Sequence, residues 1–213
     1  MIFRRFLTIS ALAAAAFTVC AGASRAAPRK PATDEALLKA HDAFRAGDAL
    51  KLAKFSAPLG GHVLAPYLEY WRLKLRLEDS PDPEVRAFLQ REAGSYVAER
   101  LRADWLKELG KRGDWQSFDQ ELPLLAQDDL EIRCYAWLSR LARADDSAFE
   151  EARPVWREPR ELPESCHALA EKMIEAGRFS VEDVWRRVRV LLENNQLSAA
   201  RRALVHLPAG EKH

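Results

Sequence analysis

Apolar residues recur every three to four positions along almost the whole chain, and almost no stretch alternates with period two. Residues 98–115, AERLRADWLKELGKRGDW, show the pattern best. Val97, Leu101, Trp105 and Leu109 would line one face of a helix, and Glu108 and Arg112 are spaced to pair on its solvent side. Gly113 can take the left-handed conformation that ends a helix, and Asp114 can cap the next one. The stretch therefore predicts a helical hairpin. Breakers recur at a steady beat near Gly47, Ser80, Gly113, Asp145 and Gly177, a spacing typical of helix-turn-helix repeats. A second series interleaves near Gly60, Gly94, Pro123, Pro159 and Asn195.

These breakers predict about eleven helices, starting near Thr33, Asp48, Val63, Pro83, Val97, Asp114, Asp128, Ala148, Glu164, Val181 and Leu197. Ser180 with Asp183 forms a capping-box-like pair, Asp128 and Asp129 put negative charge at a helix start, and Pro83 suits a first turn. After Ser180, the stripe Val181, Val184, Trp185, Val188, Leu191 and Leu192 leaves Arg186, Arg187 and Arg189 off the apolar face. The helix Leu64 to Leu77 is apolar over a wider arc and should pack on both sides. Short connections make neighbouring helices antiparallel, and hairpins of fixed period stack into a solenoid. The expected fold is thus all-α, a right-handed superhelix of antiparallel hairpins, in preference to a compact bundle.

The first residues break this pattern. Arg4 and Arg5 precede an apolar run, Phe6 to Cys20, which is short for a bilayer span, and small residues stand at Ser24 and Ala26. Residues 1–26 read as a cleavable signal peptide, leaving residues 27–213 as one α-superhelical domain. Val19 before Cys20 disfavours a lipoprotein signal, and the residues flanking the paired arginines fit twin-arginine export poorly. Cleavage removes Arg4, Arg5 and Arg25 and leaves 30 basic against 32 acidic residues, a net charge of −2. That balance argues against nucleic acid as a partner, and no second apolar run suggests stable membrane insertion. Cys134 and Cys166 are then the remaining cysteines, and in an exported chain they predict one disulfide, two buried free thiols being the alternative.

Candidate chemistry is sparse. His41, His62, His167, His206 and His213 are scattered, and Cys166–His167 lacks further ligands at zinc spacing, so neither metal nor cofactor is expected. No Ser-His-Asp set, Walker loop or dinucleotide turn is present. Asp34–Glu35, Asp128–Asp129 and Asp145–Asp146 fit helix starts. Of the six tryptophans, Trp71, Trp105 and Trp185 fall on apolar stripes, whereas Trp115 and Trp156 lie nearer helix ends and are the better candidates for exposure to a sugar.

Four segments resemble the N-terminal superhelical domain of the soluble lytic murein transglycosylases: residues 64–77 (LAPYLEYWRLKLRL), residues 98–115, residues 134–141 (CYAWLSRL) and residues 183–201 (DVWRRVRVLLENNQLSAAR). The likeness runs from about Leu37 to the end. It implies a periplasmic protein of a family that cleaves peptidoglycan glycan strands without water, leaving 1,6-anhydromuramic ends and using no cofactor. It places the catalytic glutamate in a separate lysozyme-like domain, within a Glu-Ser motif, beyond the residues present here. Glu164–Ser165 has that dipeptide, but it lies inside the repeat beside Cys166, without Gly-rich surroundings, and a capping role suits it better. The resemblance implies no catalytic residue in this chain, glycan strands and wall-synthesis or wall-cleaving proteins as partners, and a missing sequel. The apolar face of Leu197, Ala200, Leu204 and Leu207 points the same way, since a terminal repeat should be polar outside. A periplasmic tetratricopeptide-like adapter that binds a protein in its concave groove is the alternative.

Overall fold

The computed structural model describes residues 31–208 and residue 210. The signal-peptide assignment to residues 1–26 lies outside the described residues. Those described form eleven α-helices and no strand: α1 (Pro31–Arg45), α2 (Ala49–Ser56), α3 (Ala65–Lys74), α4 (Asp82–Arg91), α5 (Tyr96–Lys111), α6 (Trp115–Glu121), α7 (Leu130–Ala142), α8 (Ser147–Trp156), α9 (Glu164–Glu175), α10 (Val181–Glu193) and α11 (Leu197–Leu204). Single 3-10 turns extend α2 and α6 at Ala57–Leu59 and Leu122–Leu124, each carrying a proline. Each helix begins within two residues of the position its sequence signals mark. No helix among the described residues is long and apolar enough to cross a membrane.

Helix entry follows cap chemistry. Ser95, Asp48, Asp114 and Asp129 each accept a hydrogen bond from the backbone N–H three residues on. Ser180 and Asp183 complete a reciprocal capping box. Helix exit follows a repeated turn. At Gly47, Gly113, Ala144, Gly177 and Asn195 the backbone is left-handed, and the next residue's N–H reaches back five positions: Asp48 to Ala43, Asp114 to Leu109, Asp145 to Arg140, Arg178 to Met173 and Gln196 to Leu191. This Schellman geometry satisfies carbonyls that a helix end would otherwise orphan. In the third of these turns the left-handed residue is Ala144, one before the expected Asp145, whose carboxylate instead accepts from the Ser147 N–H.

The odd-numbered helices up to α9 form a continuous row, α1 on α3, α3 on α5, α5 on α7 and α7 on α9, and each even-numbered helix packs on at least one chain neighbour. This superhelical stacking comes from the stripes. Val97, Leu101, Trp105 and Leu109 of α5 are all buried, each contributing about 1.5–3 kcal/mol relative to exposure. α3 packs against α1 and α2 on one side and α5 on the other, as its wide apolar arc requires. Apolar residues gather in three clusters. The first runs from α1 to α7, the second joins α7, α8 and α9 with Phe179, and the third is confined to α10 and α11. α7 belongs to two of them, giving Ile132 and Tyr135 to the first and Leu130 and Cys134 to the second. Tyr135 lies directly over Gly110 of α5, where an added Cβ would fall 2.3 Å from its ring. Gly110 is therefore a close-approach glycine.

Two details depart from the sequence pattern. Arg112 pairs with Asp82 of α4 at 2.7 Å, and the Glu108 carboxylate meets Lys111 instead. The longer reach holds α5 to α4, which a local pair would not do. On the last two helices Val184, Val188, Leu191 and Ala200 are buried, as is Leu207 just beyond them, while Val181, Leu192 and Leu197 stand exposed and Trp185 and Leu204 are half-buried.

Candidate functional site

Cys134 in α7 and Cys166 in α9 form a disulfide, with Cα atoms 5.0 Å apart. Ser165 beside it donates its hydroxyl to the Glu131 carbonyl at 2.9 Å, so the start of α9 is tied twice to the first turn of α7. Glu164 is not a capping residue. Pro163 occupies the N-cap position without a side-chain bond. The Glu164 side chain is 85% exposed, whereas acid catalysis of glycoside cleavage needs a carboxyl held in a desolvated cleft. His167 is buried, and its Nε2 lies 2.9 Å from Glu161. No group of three potential metal ligands exists among the described residues.

Carboxylates moved by their surroundings move towards the ionised form. A hydrogen bond from Ser147, then one from Arg140, lowers Asp145 to about 2. Lys107 holds Asp129 below its ordinary value against the opposing effect of burial, and His167 does the same for Glu161. Buried Arg102 and Glu121 form an ion pair between α5 and α6, with Arg86 of α4 3.6 Å from the same carboxylate. These pairs join neighbouring helices and leave their carboxylates occupied by cations or N–H donors.

Several depressions lie among the described residues. A cleft of about 360 Å³ lies where α3 and the turn after it meet α5 and α7. Lys74 there bonds Asp104 at 2.7 Å, with the Tyr70 hydroxyl at 3.2 Å from the same oxygen, and Lys107 lies 2.6 Å from Asp129 and 2.8 Å from Glu131. Burial opposes the Lys74 ammonium, but Asp104 outweighs it and raises its pKa. Burial, reinforced by Asp104, raises Tyr70. Lys74, Arg76 and Lys107 face Glu78, Asp79, Asp104, Glu108 and Glu131 in the lining, so the cleft carries a formal charge of −2. A second groove, about 440 Å³, runs between α2 and α3 over Leu52 and Leu68, with Glu69 and Arg72 at its edge. Small residues, Ala53, Gly60 and Ala65, keep it open.

A third depression, about 140 Å³, sits where the end of α8 meets Phe179 and α10. It is apolar inside, walled by Trp156, Phe179 and Val190, and rimmed by Arg157 and Arg186. Its back wall contains Arg187, which pattern analysis places off the apolar face but which is buried. The guanidinium donates to the carbonyls of Trp156, Glu158 and Arg160 at 2.8, 2.6 and 2.9 Å and lies 5.1 Å over the Trp156 ring. Burial pushes its pKa down to about 10, so it stays protonated at neutral pH. Trp156, the candidate for exposure, is likewise buried, stacked on Phe179 at 5.2 Å and edge-on to His206. Trp115 is half-buried, packed edge-on against Phe118. Trp71 and Trp105 are core, as their stripes imply. Of the three arginines after Ser180, Arg186 and Arg189 are exposed and pair with Asp183 and Glu182.

No protein-family model matches the sequence, and no curated protein matches it. Solved structures do. The lytic transglycosylase Slt of Pseudomonas aeruginosa, an inactive mutant, is 24% identical with a TM-score of 0.62, over 86% of this chain and 29% of that one. The 70 kDa soluble lytic transglycosylase of Escherichia coli is 18% identical with a TM-score of 0.62, over 84% of this chain and 29% of that one. A complex of the 70 kDa soluble lytic transglycosylase with bulgecin A matches at 18% identity and a TM-score of 0.61, with the same two shares. The chain thus spans about three tenths of the length of the structures it matches. Its all-α superhelix is the fold of a part of the soluble lytic transglycosylases.

Proposed function

We propose that this chain is the non-catalytic superhelical scaffold of a periplasmic peptidoglycan lytic transglycosylase, supporting a catalytic domain and helping to hold a glycan strand. The shared superhelix, running through more than four fifths of this chain in three lytic transglycosylase structures, carries the reading. The ionised, paired state of the shifted carboxylates fits a scaffold, because glycosidic cleavage calls for an acid kept protonated. Export through the leader at residues 1–26 and cleavage to 1,6-anhydromuramic ends in the complete enzyme belong to the same proposal.

Incubation of the purified chain with isolated sacculi tests it. The chain should sediment with sacculi and release no anhydromuropeptides. Release of such products by the chain alone would overturn the non-catalytic assignment. A chain that stays in the supernatant but forms a stoichiometric complex with another periplasmic protein would point to the adapter reading, which the repeated turns also fit.

A further inference from the structure

The charges of the clefts separate them by ligand. Wall glycan bears carboxylates on its muramyl units, and the −2 cleft between α3, α5 and α7 repels them. The pocket at the end of α8 is the reverse case. Arg157, Arg186 and Arg187 face one acid in its lining, Asp183, for a formal charge of +2. That acid is engaged by the Ser180 N–H and hydroxyl, both at 2.9 Å. Arg157 is exposed and makes no ion pair among the described residues, and Arg186, 51% exposed, is only 3.5 Å from Asp183 at best. The Arg157 guanidinium is therefore available to an anion, with Arg186, paired to Asp183, beside it on the rim. The interior is aromatic and aliphatic, and one wall residue, Trp156, has its indole N–H buried without a partner among the described residues.

Size narrows the occupant further. A pocket that encloses a whole small-molecule ligand measures roughly 300–1,000 Å³. This one, at about 140 Å³, holds about four or five water-sized groups at ~30 Å³ each. A sugar ring would remain outside while one small substituent entered. We infer that this pocket binds the lactyl-peptide branch of a muramyl unit, its lactyl or alanyl methyl resting on Trp156, Phe179 and Val190 and a carboxylate of its peptide on Arg157, beside Arg186. The inference rests on the glycan-holding role proposed above and assigns that role to one junction of the superhelix.

Calorimetric titration of the full chain tests it with two soluble probes. One is the disaccharide N-acetylglucosaminyl-N-acetylmuramyl tetrapeptide, and the other is chitotetraose, which has acetyl groups but no carboxylate. The muropeptide should bind at least tenfold more tightly than chitotetraose, with an affinity that falls as salt rises. Arg157→Glu should weaken it at least tenfold and Arg157→Lys much less. The Arg157 side chain is exposed and makes no hydrogen bond among the described residues, so the fold should survive both changes. Val190→Trp, which fills the pocket, should weaken binding without altering charge. Equal binding of chitotetraose, indifference to Arg157→Glu, or no muropeptide binding overturns the inference. Sedimentation with sacculi separates the two readings: if the wild type and Arg157→Glu sediment equally, the scaffold proposal stands and the pocket assignment falls. If the wild type does not sediment, the scaffold proposal itself fails.

Discussion

Replacing Arg187 tests what fastens the last hairpin to the rest of the superhelix. α10 and α11 have their own apolar cluster, so the guanidinium in the α8–α9 connection is a principal tie across that junction. Three carbonyls accept from it, and each hydrogen bond to a charged donor contributes ~1.5–3 kcal/mol. Opposing this is the cost of burying the charge. The fall of its pKa from the ordinary arginine range to about 10 corresponds to about 3 kcal/mol at ~1.4 kcal/mol per unit. The balance favours the intact clamp by a few kcal/mol. Truncation also strands buried carbonyls, at ~1–3 kcal/mol for each that water cannot reach. Arg187→Met, of similar length but neutral, should therefore lose about 3 kcal/mol. Urea unfolding followed by tryptophan fluorescence would measure it. Hydrogen exchange of the α10 and α11 amides should accelerate by about 100-fold, the rate equivalent of that loss. If burial cost dominated, as it does for some buried ion pairs, Arg187→Met would be neutral or stabilising. A change smaller than 0.5 kcal/mol would refute the clamp.

Three further outcomes follow from other features. Gly110→Ala gains about 1 kcal/mol of helix propensity but forces a methyl against the Tyr135 ring, at a cost of ~1–3 kcal/mol or more. A net loss should appear in thermal melting, and Tyr135→Ala in the same chain should relieve part of it. Opening the Cys134–Cys166 bond by replacing both residues with alanine should cost about 3–4 kcal/mol, the chain-entropy value for a loop of this size. A non-reducing melt that does not change would contradict this. Asp145 titrates at about 2, below its ordinary 3.8, because Ser147 and Arg140 bond the carboxylate. Its stabilising contribution is complete above pH ~4 and disappears as pH falls through about 2. Asp145→Asn should flatten the acid limb of the stability curve in that window.

Much of this fold is legible in the chain because the helices carry their own boundaries. Ser95, Asp114, Asp129 and Ser180 announce starts, and the left-handed glycines announce ends. Stripe periodicity also places Trp105 and Leu109 in the core. It fails for Arg187 because a periodicity count scores arginine as polar, whereas a long aliphatic stem can cross a core face and deliver its head to carbonyls beyond it. It fails for Trp156 for a related reason. A helix end is exposed only when nothing later in the chain covers it, and Phe179, Arg187 and His206 all do so. The third pocket stayed hidden for the same reason: its walls come from the end of α8, Phe179 and α10, which local patterns do not bring together.

The repeated turns have a consequence for how such a chain can change length. At Gly47, Gly113, Ala144, Gly177 and Asn195 the back-bond spans a fixed number of residues. One residue inserted there breaks that bond, and one inserted within a helix turns every later side chain by about 100° around the axis. Insertions and deletions should be lethal to stacking at these positions. The connections at residues 57–64, 75–81, 92–95, 122–129 and 157–163 lack this five-residue back-bond. Length variation that the superhelix survives should collect in those segments, and the last carries the carbonyls that Arg187 clamps.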